Sequence, residues 1–147
     1  EDLLTIAKGQ LALEDEYTDM VNSEWSMVKK KTPENSPFTI HHSLFFIDTD
    51  MYVMKVWCEF VFDKCHRFIL EQIVKRKYDL YLLCNTDLPW TRDELREYPD
   101  QKKRRILYNM YKDILVNQAV PWTDISGNNE ERLVKAIGAV DGLTKAG

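Results

Sequence analysis

Three short apolar runs limit what this chain can fold into. They are SLFFID (Ser43–Asp48), YDLYLLC (Tyr78–Cys84) and AVPWTDI (Ala119–Ile125). Each is too short for a helix, and each ends at a polar loop. Runs of this kind suit strands buried on both faces, as in a parallel sheet. Between them the apolar residues recur at helical spacing. Leu13, Tyr17, Met20 and Val21 do so within residues 2–30. Val53, Val56, Trp57, Phe60 and Val61 mark a second helix, and Cys65, Ile69 and Ile73 a third. Leu107, Met110, Tyr111, Ile114 and Leu115 predict a fourth, with Pro99 at its first position. Leu133, Ala136, Ile137 and Val140 predict the buried face of a last helix. Asn128 would cap that helix, with Glu131 as its capping-box partner. Pro121 points to an edge position for the third strand.

Strands alternating with helices give an α/β domain with a mainly parallel sheet. Its 147 residues fit one domain, and 44% hydrophobic with 30% charged residues is a globular composition. The net charge of -4 argues against nucleic acid as the main partner. Cys58, Cys65 and Cys84 form no C-x-x-C and are odd in number, which predicts reduced thiols and a cytoplasmic setting. No run is long enough to span a membrane, and no signal peptide is recognisable. The chain opens inside what reads as a helix.

In parallel sheets ligands bind beyond the carboxyl ends of the strands. Here that selects DTD (48–50), NTDLPWTRDELR (85–96) and SGNN (126–129). In FFIDTD an apolar run ends in a carboxylate, the Walker B pattern, in which a strand-tip acid serves magnesium beside a nucleotide's phosphates. Asp48 ends the run, and Asp50 points the same way if the strand continues. The competing reading is that one of them caps the next helix.

Arg92 and Arg96 lie one helical turn apart and, with Arg104, suit bidentate phosphate contacts. Lys102, Lys103 and Arg105 crowd the start of a helix, where the dipole disfavours cations, and Asp93, Glu94, Glu97 and Asp100 are at hand to neutralise them. Trp90 is either a plug under its loop or a stacking surface. The histidines and cysteines lack zinc-ligand spacing. No G-x-x-x-x-G-K-[ST] phosphate loop occurs in the 147 residues.

In order, AKGQ, FIDTD, YDLYLLC, DLPWTRDELREYPD and ISGNNEERL resemble the ribosylnicotinamide kinase domain of bacterial NAD-salvage proteins, an AAA-like P-loop domain. The resemblance covers nearly the whole chain and rests most on D-x-P-W-x-x-D-x-x-R, matched by Asp87, Pro89, Trp90, Asp93 and Arg96. It implies ATP-dependent phosphorylation of the ribose 5′-hydroxyl of ribosylnicotinamide, with Mg2+. Asp48 then becomes the metal-side carboxylate and Asp50 a contact or base for the hydroxyl. Arg96 and Arg92 join a phosphate lid. Ser126, Gly127 and Asn128 lie near adenine, Gln10 faces the nucleoside, and Trp90 packs under the lid or against a ring.

The family's first two strands and Walker A loop have no counterpart in these residues. Phe45–Asp48 and Leu80–Cys84 are therefore expected not to pair directly, while YDLYLLC and VPWTDIS pair in parallel. The alternatives are a nucleotide-sensing regulatory module, and a fragment without activity of its own. No membrane partner is expected, and a homo-oligomer or fused partner domain is compatible.

Overall fold

The computed structural model describes residues 2–31, 44–91 and 99–145. Among these the order is α1 (Asp2–Lys31), α2 (Met51–Phe62), α3 (Arg67–Lys75), β1 (Tyr81–Cys84), α4 (Gln101–Val116), β2 (Trp122–Ile125) and α5 (Asn129–Lys145). The fold is a mostly helical α/β arrangement around a small parallel sheet. β1 and β2 run side by side, with Tyr81 opposite Trp122 and Cys84 opposite Ile125. The ladder extends past both ends: Tyr81 N–H donates to Pro121 O at 3.0 Å, and Asn85 N–H to Ile125 O at 2.9 Å. Pro121 thus serves the sheet through its carbonyl, the one backbone hydrogen-bonding group it has. The expected parallel pairing of the second and third apolar runs holds.

The first run is different. Residues 44–47 form no strand, and Leu44, Phe45 and Phe46 are exposed. This corrects the expectation of a doubly buried strand. A strand needs a neighbour to satisfy its N–H and C=O groups, and among the described residues the sheet is β1 and β2 alone. The segment ends at Thr49, whose φ of 72° is in the left-handed region. That conformation is strained for a β-branched side chain and ends any strand-like alternation between Asp48 and Asp50.

The helix ends follow local chemistry. Asp50 is the N-cap of α2, its Oδ1 accepting from Val53 N–H at 3.0 Å. His66 caps α3 through Nδ1, which accepts from Phe68 N–H at 3.1 Å, so Cys65 lies before that helix and not in it. Asp100 caps α4 through Oδ1, which accepts from Lys102 N–H at 2.8 Å. Pro99 therefore stands before the cap instead of at the first helical position. Asn128 and Glu131 form the expected reciprocal box, at 3.0 and 2.8 Å.

Among the described residues two clusters make the core. One joins Ala7 and Leu11 of α1, Met51, Met54 and Cys58 of α2, and Ile69 of α3. The other joins Leu83 of β1 with Tyr108 and Leu115 of α4, backed by Trp122. Fully burying a side chain such as Ile69 contributes about 1.5–3 kcal/mol. The buried stripe of α1 is Ala7–Leu11–Glu14, while Leu13, Tyr17 and Met20 face outward. In α5, Leu133 and Ile137 are exposed, against the expected buried face, because among the described elements α5 packs mainly on the short β2. No helix of the described residues is long and apolar enough to cross a membrane.

Candidate functional site

The candidate residues fall in two groups. The first gathers around the start of α2. Gln10 Nε2 on α1 donates to the Asp48 backbone carbonyl at 3.0 Å, joining residues 38 positions apart. Two sequence-predicted positions are thereby brought together, and the contact holds the bend at Thr49 against α1. Asp48 is exposed. Asp50 is half-buried, and its two oxygens differ. Oδ1 caps α2, whereas Oδ2 is sealed from solvent with no hydrogen-bond partner. Burial raises the Asp50 carboxyl above its ordinary range, against the lowering effect of the Val53 and Tyr52 amides, and the Glu14 charge adds to the rise.

Around this carboxyl lie an acid, a cation and several phenols. Glu14 is 8% exposed, and its Oε1 takes Arg76 Nη1 at 2.8 Å. Arg76 Nη2 reaches Asp15 at 2.6 Å, and Tyr78 OH donates to the Glu14 carboxylate at 3.2–3.3 Å. The Tyr81 ring packs against those of Tyr52 and Tyr78 at 5.5 and 5.6 Å. Desolvation, and next the nearby carboxylates, raise Tyr78 and Tyr81 well above the usual phenol range, so both stay neutral hydroxyls.

The second group sits at the carboxyl ends of β1 and β2. Asn85 Nδ2 donates to Asp124 Oδ1 at 3.1 Å, and Tyr108 OH to the same oxygen at 2.8 Å. Burial would raise Asp124, but hydrogen bonds from Tyr108, Asn85 and Ser126 outweigh it and keep the carboxyl below its ordinary value. Tyr108 is pushed up to about 12, by desolvation first and its bond to Asp124 second. Gly127, at φ 102°, donates its N–H to Asp87 Oδ2 at 2.6 Å. Arg132 Nε donates to Gly127 O at 3.0 Å, and its Nη2 to Asn85 O at 2.8 Å and to Asp87 Oδ1. The Gly127 amide, then the Arg132 guanidinium, hold Asp87 below the usual carboxylate range. Lys135 Nζ donates to Ser126 O at 2.9 Å and Oγ at 2.8 Å. The Gly127 and Asn128 amides are both given to carboxylates, so this loop keeps neither for a phosphate.

Beside these loops lies an open cleft of about 380 Å³, lined by Asn85, Thr86, Asp87, Gln101, Lys102 and Arg105. Its cations are thus two that sequence reasoning assigned to surface pairing. Arg104 turns its Nη1 toward Leu88 O at 3.5 Å, and its Nε is buried without a partner. Trp90 is half-buried, with Nε1 also buried and unpartnered. Arg92 and Arg96 lie outside the described residues. The Asp100 cap is the built-in anion at the α4 start, which accounts for the basic block there.

Asn85, Arg132, Glu14, Arg76, Tyr108 and Asp124 escaped the sequence reading. Arg132 carried a usable signal. It is a cation in the first turn of α5, where the dipole is unfavourable, and so implied an acid partner elsewhere in the chain. Glu14, an acid among the buried positions of α1, carried another. The pairing of Asn85 with Asp124 depends on strand register and had no local signal.

The described residues contain no cluster of three or more His, Cys, Asp or Glu side chains able to hold a metal ion by themselves. Magnesium bound beside a nucleotide does not require one, because it is held by one or two carboxylates together with phosphates and water. The exposed Asp48 fits that mode.

Residues 5–132 match the family model of an AAA domain. That match spans most of the chain, and it agrees with the parallel strands. AAA domains generally bind ATP with Mg2+, and the match points to nucleotide-dependent activity. The chain belongs to the AAA domain family.

Proposed function

We propose that this domain serves ATP-dependent phosphorylation of a small nucleoside, most specifically ribosylnicotinamide in NAD salvage, within a P-loop kinase-like architecture. The observation that carries the reading is Asp50. Its Oδ1 is fixed by capping α2, while Oδ2 is buried, unpartnered and more basic than an ordinary aspartate. A positioned carboxylate of raised pKa is suited to general-base work. Asp50 Oδ2, closed to solvent in this structure, would take the proton of the ribose hydroxyl once substrate binding opens the start of α2, as that hydroxyl oxygen attacks the γ-phosphorus. The bond from γ-phosphorus to the β,γ-bridging oxygen breaks, and ADP leaves.

Asp48 would hold Mg2+, which when bound supplies charge neutralisation for the transferring phosphoryl group. Gln10 would keep Asp48 in place through its carbonyl and face the nucleoside beside it. Arg96, with Arg92, would form the lid, Arg104 would contact phosphate, Trp90 would pack beneath the lid or against a ring, and Ser126, Gly127 and Asn128 would border the adenine. The test is product analysis with the full-length protein, magnesium-ATP and ribosylnicotinamide. A nucleoside 5′-monophosphate and ADP in equal amounts are expected. Absence of transfer to any nucleoside refutes the reading.

One observation favours a second reading, a nucleotide-sensing interaction module. Leu133 and Val134 on α5 are 62% and 69% exposed, an apolar surface suited to a partner domain. ATP binding without turnover, together with ATP-dependent binding of an attached domain, would support it over the kinase.

A further inference from the structure

We infer that Arg132 is a positioning residue for the nucleotide site, acting as a clamp that sets the gap between the two strand-end loops. The inference rests on the nucleotide reading above. Parallel pairing brings Asn85 and Ser126 out of the sheet side by side, directly after Cys84 and Ile125. The loops then diverge in chemistry and need a tie. Arg132, 13% exposed in its side chain, supplies it. Its guanidinium donates to Asn85 O and Asp87 Oδ1 on one loop and to Gly127 O on the other. Asp87 completes the circuit by accepting the Gly127 N–H through its second oxygen. Gly127 is thus gripped by both its backbone groups.

The geometry depends on residue type. A planar fork of donors meets three acceptors at once, and the single ammonium of a lysine cannot reproduce that set. At a φ of 102° a Cβ on residue 127 would be strained, and it would fall 3.0 Å from Glu131 Cβ and displace Glu131 Oε2 from the capping box. Fixing Asp87 thus also fixes the loop after β2. A site whose two walls are tied this way is pre-set before its ligand arrives, which lowers the ordering cost of binding.

The test uses the full-length protein with Arg132→Lys, Asp87→Asn and the double variant. Loss of a charge-assisted hydrogen bond predicts about ten-fold faster amide exchange at Gly127 in each single variant. The double variant should be no faster than the worse single one, since both open the same circuit. KM for magnesium-ATP should rise about ten-fold with kcat retained. Gly127 exchange at the wild-type rate overturns the clamp. Faster exchange with unchanged KM reduces Arg132 to a structural tie and overturns the positioning role. If the unaltered protein does not bind magnesium-ATP at all, it is the nucleotide reading that falls, and the clamp is then decided by the Gly127 exchange alone.

Discussion

Replacing Asp50 by Asn separates its two structural effects. The carboxylate caps α2 through Oδ1 and carries a buried, unpartnered Oδ2. Asn and Asp are equally good N-caps, whereas Ala loses about 1 kcal/mol at such a position. The buried oxygen costs about 1–3 kcal/mol while it stays charged and unpaired. Asp50→Asn should therefore leave the protein as stable as the parent or about 1 kcal/mol more stable at neutral pH, after allowing for the half-buried setting. Asp50→Ala should fall about 1 kcal/mol below Asp50→Asn. In a domain of this size 1 kcal/mol is about 2–4 °C in thermal midpoint.

The pH dependence carries a sign. The folded-state pKa of Asp50 is raised above 3.8, so the folded protein holds this proton where the unfolded chain has lost it. Its contribution to stability therefore declines as pH rises from about the unfolded value through the folded one, and is constant above. The advantage of Asp50→Asn should shrink as pH falls through that window. Urea unfolding followed by circular dichroism, at several pH values, measures both effects. If Asp50→Asn is as destabilised as Asp50→Ala, with a difference from the parent that does not vary with pH, then Oδ2 is not a buried unpaired charge and the argument fails.

Further substitutions probe the other contacts. Arg76→Met strands Glu14 in a mostly buried setting and should cost about 3 kcal/mol, while Glu14→Leu with Arg76→Met should recover most of it in denaturant titrations. Gly127→Ala should cost about 1–3 kcal/mol, from its φ of 102° and the collision with Glu131, and thermal unfolding would report it. Arg96→Ala should lower kcat more than Lys102→Ala or Lys103→Ala with little change in stability, and equal small effects would make the basic stretch a solvated face. Asp48→Asn should reduce phosphoryl transfer by orders of magnitude while the fold is kept, and near-normal turnover in the folded variant would reject its metal role.

Local structure is legible in the sequence. The long α1, the pairing of the second and third apolar runs and the Asn128–Glu131 box all follow from short-range pattern and capping chemistry. Failures came where tertiary partners decide. SLFFID has the pattern of a buried strand, but without a hydrogen-bonding neighbour among the described residues it forms none. α2 is apolar on nearly every side, so periodicity could not select Met51, Met54 and Cys58 over Val53 and Val61 as its buried face. In α5 the apolar stripe was legible but its packing partner was not. For the candidate site, Asp48 and Asp50 are proposed from strand-tip logic and Gln10 from family resemblance, and the structure brings Gln10 and Asp48 into contact. The Asn85–Asp124–Tyr108 and Asp87–Arg132–Gly127 sets emerge only from the parallel register and from side chains that meet across it.

In the proposed ATP-dependent transfer, Asp50 activates the nucleoside hydroxyl. The most direct test of that role is ADP release by the full-length protein with magnesium-ATP, with and without ribosylnicotinamide, for the unaltered protein and for Asp50→Asn. The account predicts nucleoside-dependent release from the unaltered protein, and its loss by orders of magnitude in an Asp50→Asn variant that remains folded and at least as stable. Release that needs no nucleoside, or that survives in folded Asp50→Asn, contradicts it.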